Sequence, residues 1–207
     1  MVKRQLGRAP RGITAIAHRC PCGLPDVVET APRLPDGTPF PTLYYLTCPR
    51  ASAALSRQEA AGVMRAMTAR LHSDPDLREQ YTAAHADYVR RRDAAAAMAG
   101  VEPLPPGTQS AGGMPDRVKC LHALAAHALA VRGGNPLGAE AVEAVGQWWQ
   151  GGPCVAHGNA AREAGRASPL MRFLLLGESG FSPVAADRGR GVSRRFRCGG
   201  APAPRTS

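Results

Sequence analysis

Aromatic side chains make up only 5% of this 207-residue chain, and no apolar run approaches the ~20 residues that span a bilayer. The N-terminus also lacks the apolar core of a secretory signal, so the expectation is a protein that stays in the cytosol. Gly-rich motifs are missing as well: neither Gly112-Gly113 nor Gly133-Gly134 belongs to a phosphate loop, a nucleophile turn or a dinucleotide fingerprint. Paired Cys-x-x-Cys motifs are absent too, although six cysteines are present, at 20, 22, 48, 120, 154 and 198. In a reducing compartment such residues are expected as free thiols, metal ligands or catalytic groups rather than structural disulfides.

Acidic residues are missing from positions 1–19, where Lys3, Arg4, Arg8, Arg11 and Arg19 give +5. From 160 onward nine arginines face only Glu163, Glu178 and Asp187, giving +6. Of the formal +10, these ends hold +11, so the stretch between them carries −1. A nearly neutral body argues against a folded nucleic-acid-binding face and leaves only the basic ends for contact with RNA, an anionic membrane or a protein partner.

Residues 12–19, 26–30 and 40–47 are rich in β-branched or aromatic side chains and are separated by turn formers such as Pro35-Asp36-Gly37. They read as a three-stranded antiparallel meander, which brings Cys20, Cys22 and Cys48 to one end of the sheet. Ser56-Arg57-Gln58-Glu59 has the pattern of a capping box and predicts a helix to about His72. Asp74-Pro75 predicts a second helix ending at Gly100, so that the two form a hairpin. A central helix is expected over about Pro115–Val131 and a fourth over about 138–149, carrying Trp148 and Trp149. The Pro/Gly-rich stretch 101–113 is a loop, either functional or mobile. The fold class is thus α+β and helix-dominated, with residues 1–159 as one domain and 160–207 as a basic, mostly disordered tail.

Three segments carry a family resemblance: QLGRAPRG (5–12), HRCPCGLPDVVETAPRLPDGTPFPTLYYLTCPR (18–50) and SAGGMPDRVKCLHALAAHALA (110–130). They resemble the family catalogued as domain of unknown function 501. The resemblance implies a small bacterial, chiefly actinobacterial, cytosolic protein without an assigned activity, and it supplies no mechanism.

The cysteines define the candidate chemistry. Cys20, Cys22, Cys48 and Cys120 form a thiolate set suited to zinc or an iron–sulfur cluster, with His122 as a further metal ligand. Buried reduced thiols are the plainer alternative. On a regular helix Cys120 and His122 lie ~200° apart, so both can ligate one ion only where the helix is irregular. A thiol-dependent enzyme is the third reading, with Cys48 or Cys120 as nucleophile and His85, His122 or His127 as base. In that reading Cys48-Pro49-Arg50 opens a helix whose N–H groups lower the thiol pKa.

Overall fold

The computed structural model of the chain describes residues 1–155. Three strands, β1 (Ile13–Arg19), β2 (Pro25–Thr30) and β3 (Tyr44–Leu46), form an antiparallel sheet in the order β1-β2-β3. Among the described residues six helices accompany it: α1 (Val2–Leu6), α2 (Pro49–Ala60), α3 (Val63–Ser73), α4 (Pro75–Ala99), α5 (Leu121–Ala130) and α6 (Pro136–Val145). Helices take about 47% of the described residues, which makes the fold α+β and helix-dominated.

Local chemistry sets the starts of α4 and α6. Asp74 accepts the Leu77 N–H at 3.0 Å ahead of Pro75, and Asn135 accepts the Gly138 N–H at 2.8 Å ahead of Pro136. Each pairs a capping side chain with a proline whose missing N–H would be unpaired anyway. Helix α4 ends at Gly100, whose φ of 65° suits a residue without Cβ.

Helix α5 lies at the centre, against α2, α6 and all three strands. Leu121, Leu124, Ala125, Ala126 and His127 are buried along it. The strand residues Val27, Tyr44 and Leu46 join the same core. Helix α6 packs closest: a Cβ on Gly138 would stand 2.1 Å from the Leu124 carbonyl oxygen, so only glycine permits this approach. Tyr88 of α4 reaches the sheet, its hydroxyl accepting the Leu43 N–H at 2.6 Å.

Several boundaries differ from the sequence expectation. The helix foreseen from Ser56 starts at Pro49 and is interrupted at Gly62 (φ 82°), giving α2 and α3 in place of one rod. The central helix starts at Leu121, not Pro115, because the backbone donors just ahead of it are taken elsewhere. Arg117 N–H still makes a helix-like bond to Gly113 O at 3.1 Å, but Val118 reaches Thr68 Oγ1 at 3.0 Å and Lys119 reaches back to Gly112 O at 2.6 Å. The fourth helix stops at Val145, since Gly146 adopts φ 68° and ψ −148°, which leaves Trp148 and Trp149 beyond its end. The third strand is limited to Tyr44–Leu46.

The 101–113 loop is latched. Buried Arg92 donates to the Gln109 and Thr108 carbonyls at 2.9 and 3.2 Å, and His85 Nδ1 meets Ser110 Oγ at 2.8 Å. The segment 160–207, expected as a basic tail, lies outside the described residues.

Candidate metal centre

Cys120 is the N-cap of α5, and its backbone is extended (φ −153°, ψ 112°). This is the irregularity that lets Cys120 and His122 share one side: the first residue stands outside the helix and the second lies in its first turn. The orphan N–H of Leu121 between them is accepted by a carboxylate from another helix, Glu59 Oε1 of α2, at 2.7 Å. The same oxygen stands 3.1 Å from His122 Nδ1, and Cys120 Sγ stands 3.9 Å from that nitrogen. The other ring nitrogen, Nε2, lies 3.0 Å from the Ser52 carbonyl and 3.2 Å from Ser56 Oγ. A carbonyl only accepts, so Nε2 carries a hydrogen.

Among the described residues, Glu59, Cys120 and His122 are the group that brings three potential ligand atoms within 4.8 Å of one another. All three are partly buried. The His122 pKa is pushed up to about 9, by the Cys120 sulfur first and by the Glu59 carboxylate, against the effect of burial.

The other predicted ligands sit apart from this group. Cys20 is buried at the end of β1 and Cys22 is half-buried in the turn that follows. Burial, with the neighbouring Cys22 sulfur, pushes the Cys20 thiol up to about 12. Cys48 is buried as the N-cap of α2 with the Cys154 thiol beside it. Its pKa rises to about 11 because desolvation outweighs the stabilising N–H groups of Ala51 and Arg50. Cys198 lies outside the described residues.

The other two candidate histidines, His127 and His85, serve the scaffold. His127 is fully buried, stacked on Tyr44 (ring centroids 5.9 Å apart) and edge-on to Tyr88 (5.1 Å). His85 belongs to the loop latch, and burial together with Arg92 lowers its pKa.

Glu59 is the candidate ligand that sequence reasoning missed. Its signal was present: Ser56 and Glu59 stand at helical spacing on an otherwise Ala-rich helix, and both side chains face His122. The spacing reads equally as a helix start, and the capping-box interpretation absorbed it.

No helix among the described residues is long and apolar enough to cross a membrane. No curated protein and no solved structure matches the chain. A family described as "Protein of unknown function (DUF501)" matches residues 16–143, which include the Glu59, Cys120 and His122 cluster. That match takes in more than half of the sequence, and the chain belongs to the DUF501 family.

Proposed function

We propose that the protein binds one divalent metal ion, zinc by preference, through Glu59, Cys120 and His122. The observation that carries this reading is the division of labour on the imidazole. Nδ1 faces both the thiol and the carboxylate, whereas Nε2–H is held by a backbone carbonyl. Metal-bound histidines commonly anchor the second ring nitrogen in this way, which fixes the tautomer and aims the ligating nitrogen. Tetrahedral zinc with ordinary bond lengths separates sulfur and nitrogen ligands by ~3.6 Å and nitrogen and oxygen ligands by ~3.4 Å. The separations of 3.9 and 3.1 Å need only small side-chain adjustments to reach those values.

A single thiolate beside one nitrogen and one oxygen donor suits mononuclear zinc better than an iron–sulfur cluster, which takes about four thiolates. Three protein ligands leave a fourth position for water or a ligand. Bound zinc would supply Lewis acidity there, and Glu59 and Cys120 would tie α2 to the start of α5.

A second reading is favoured by the raised pKa of His122. Its ring stands 3.9 Å from the Cys120 sulfur, so the same residues would form a thiol paired with a nearby imidazole. The geometry is poor for a relay, because sulfur and carboxylate meet the same ring nitrogen rather than opposite ones.

Competition titration against a chromophoric chelator separates the two readings. Under the metal reading, wild-type protein takes up one zinc ion, and Cys120→Ser, His122→Ala and Glu59→Gln each weaken binding by at least about a hundredfold, since loss of an outer-shell partner alone costs ~10–100-fold. Zinc also protects Cys120 from alkylation. A protein that takes up no zinc yet alkylates rapidly at Cys120 supports the reactive-thiol reading instead.

A further inference from the structure

The face of the sheet turned away from α5 has no part in the metal centre, yet it carries a cavity of about 490 Å³. Its floor is built by Ile13 of β1, Val28 and Thr30 of β2 and Tyr45 of β3. Val28 and Tyr45 alternate with Val27, Tyr44 and Leu46, which enter the helix-covered core. The sheet is therefore apolar on both faces, and the second face is roofed by thin walls: the 6–11 segment and the β2–β3 connection, through Leu34 and Phe40.

These walls are fastened. Gln5 Nε2 donates to the Pro25 carbonyl at 2.6 Å, which anchors α1 ahead of the roof. The Ala31 N–H donates to Gly12 O at 2.8 Å, which anchors the roof's far end. Gly12 has a φ of 61°, and a Cβ there would meet Leu34 at 3.3 Å, so the turn into β1 is shaped for a residue without a side chain. On the other wall the Phe40 N–H is held by Pro32 O at 2.7 Å.

The polar lining has one sign. Arg8 and Arg11 line the cavity and no Asp or Glu does. Among the described residues neither arginine enters a salt bridge. The carboxylate that Arg11 influences is Asp36, in the turn outside the lining. A pocket of this size with an apolar floor and a few convergent polar groups is the usual form of a small-molecule site.

We propose that this cavity binds a compact amphiphilic anion, an aromatic or aliphatic body with one carboxylate, phosphate or sulfonate group. The apolar body would rest on Ile13, Val28 and Tyr45, and the charged group would meet Arg8 and Arg11. The site is independent of the metal centre, which stands on other elements, so the failure of either leaves the other intact.

Two fluorescent dyes that differ in one charged group test this on the full chain: anilinonaphthalene sulfonate and its uncharged parent, phenylnaphthylamine. The sulfonate saturates at one equivalent per chain and binds at least about tenfold more tightly than the parent, the advantage expected of charge-assisted hydrogen bonds. In an Arg8→Gln, Arg11→Gln double variant that tenfold advantage disappears, the parent's affinity is unchanged and the melting temperature stays at the wild-type value, both arginines being exposed. Non-saturable binding, equal affinity for the two dyes, or a double variant that keeps the preference for the sulfonate would each overturn the proposal. The two-dye comparison on wild-type protein stands whether or not the variant is well behaved.

Discussion

His127 is the buried group whose titration has the most direct consequence for stability. It is fully buried between Tyr44 and Tyr88, its Nε2 has no hydrogen-bond partner, and burial lowers its pKa from 6.5 to about 4. Two charges from α4 act on it in opposite directions: Asp87 raises the value and Arg91 lowers it. The folded state holds the ring neutral, whereas the unfolded chain protonates it below pH 6.5. The stability that this confers is therefore complete above 6.5 and is lost as pH falls toward 4. Between pH 7 and pH 5 the loss amounts to ~2 kcal/mol, at 1.36 kcal/mol per pH unit over the part of the window traversed. His127→Phe keeps a ring in the same place and removes the titration. Urea unfolding at pH 5 and pH 7 should show wild type losing ~2 kcal/mol more than the variant over that interval, and carboxylates common to both cancel in the comparison. Parallel pH dependences would refute the reasoning, because they would mean that the protonated ring is tolerated in the core.

Three further outcomes follow from the packing. Tyr88→Phe leaves the buried Leu43 N–H without its acceptor and should cost about 1–3 kcal/mol in denaturant unfolding, with the fold retained. Gly138→Ala places a Cβ against the Leu124 carbonyl and should lower the melting temperature through an overpacking cost of about 1–3 kcal/mol, whereas Gly107→Ala, with open space around it, tests only the left-handed backbone. Cys48, buried with its pKa raised to about 11, should alkylate about a hundredfold more slowly at neutral pH than a free thiol, and mass mapping after native and denatured alkylation reads this directly.

The parts of the fold legible in the sequence are those fixed by short-range chemistry. Asp74-Pro75 and Gly100 bracket α4 because cap, proline and left-handed glycine act within one turn of the helix. The strands of the meander were visible from runs rich in β-branched and aromatic residues bounded by turn formers. Where tertiary partners took over, the reading failed. Residues 115–119 carry a helical pattern, but the N–H groups of Val118 and Lys119 are bound by Thr68 and Gly112, the first of these 50 positions away from Val118. Ser56 and Glu59 resembled a helix start because the same spacing that makes a capping box also places two side chains on one helical face. That face meets His122, and the 63 positions that separate Glu59 from His122 put the pairing beyond any local pattern. That Cys120 and His122 could share one side only at an irregular helix was expected; that the irregularity is Cys120 standing just outside the helix was not.

Cobalt substitution tests the central claim most directly, because a thiolate bound to cobalt gives a near-ultraviolet charge-transfer band and tetrahedral coordination gives intense visible bands. Metal-free wild-type protein titrated with cobalt should develop both sets of bands to an end point of one ion per chain. Cys120→Ser should abolish the charge-transfer band, whereas Cys20→Ser, Cys22→Ser and Cys48→Ser should leave it unchanged. Absence of the band in wild type, or its loss on replacing Cys20, Cys22 or Cys48 while Cys120→Ser retains it, would contradict a metal centre built on Glu59, Cys120 and His122.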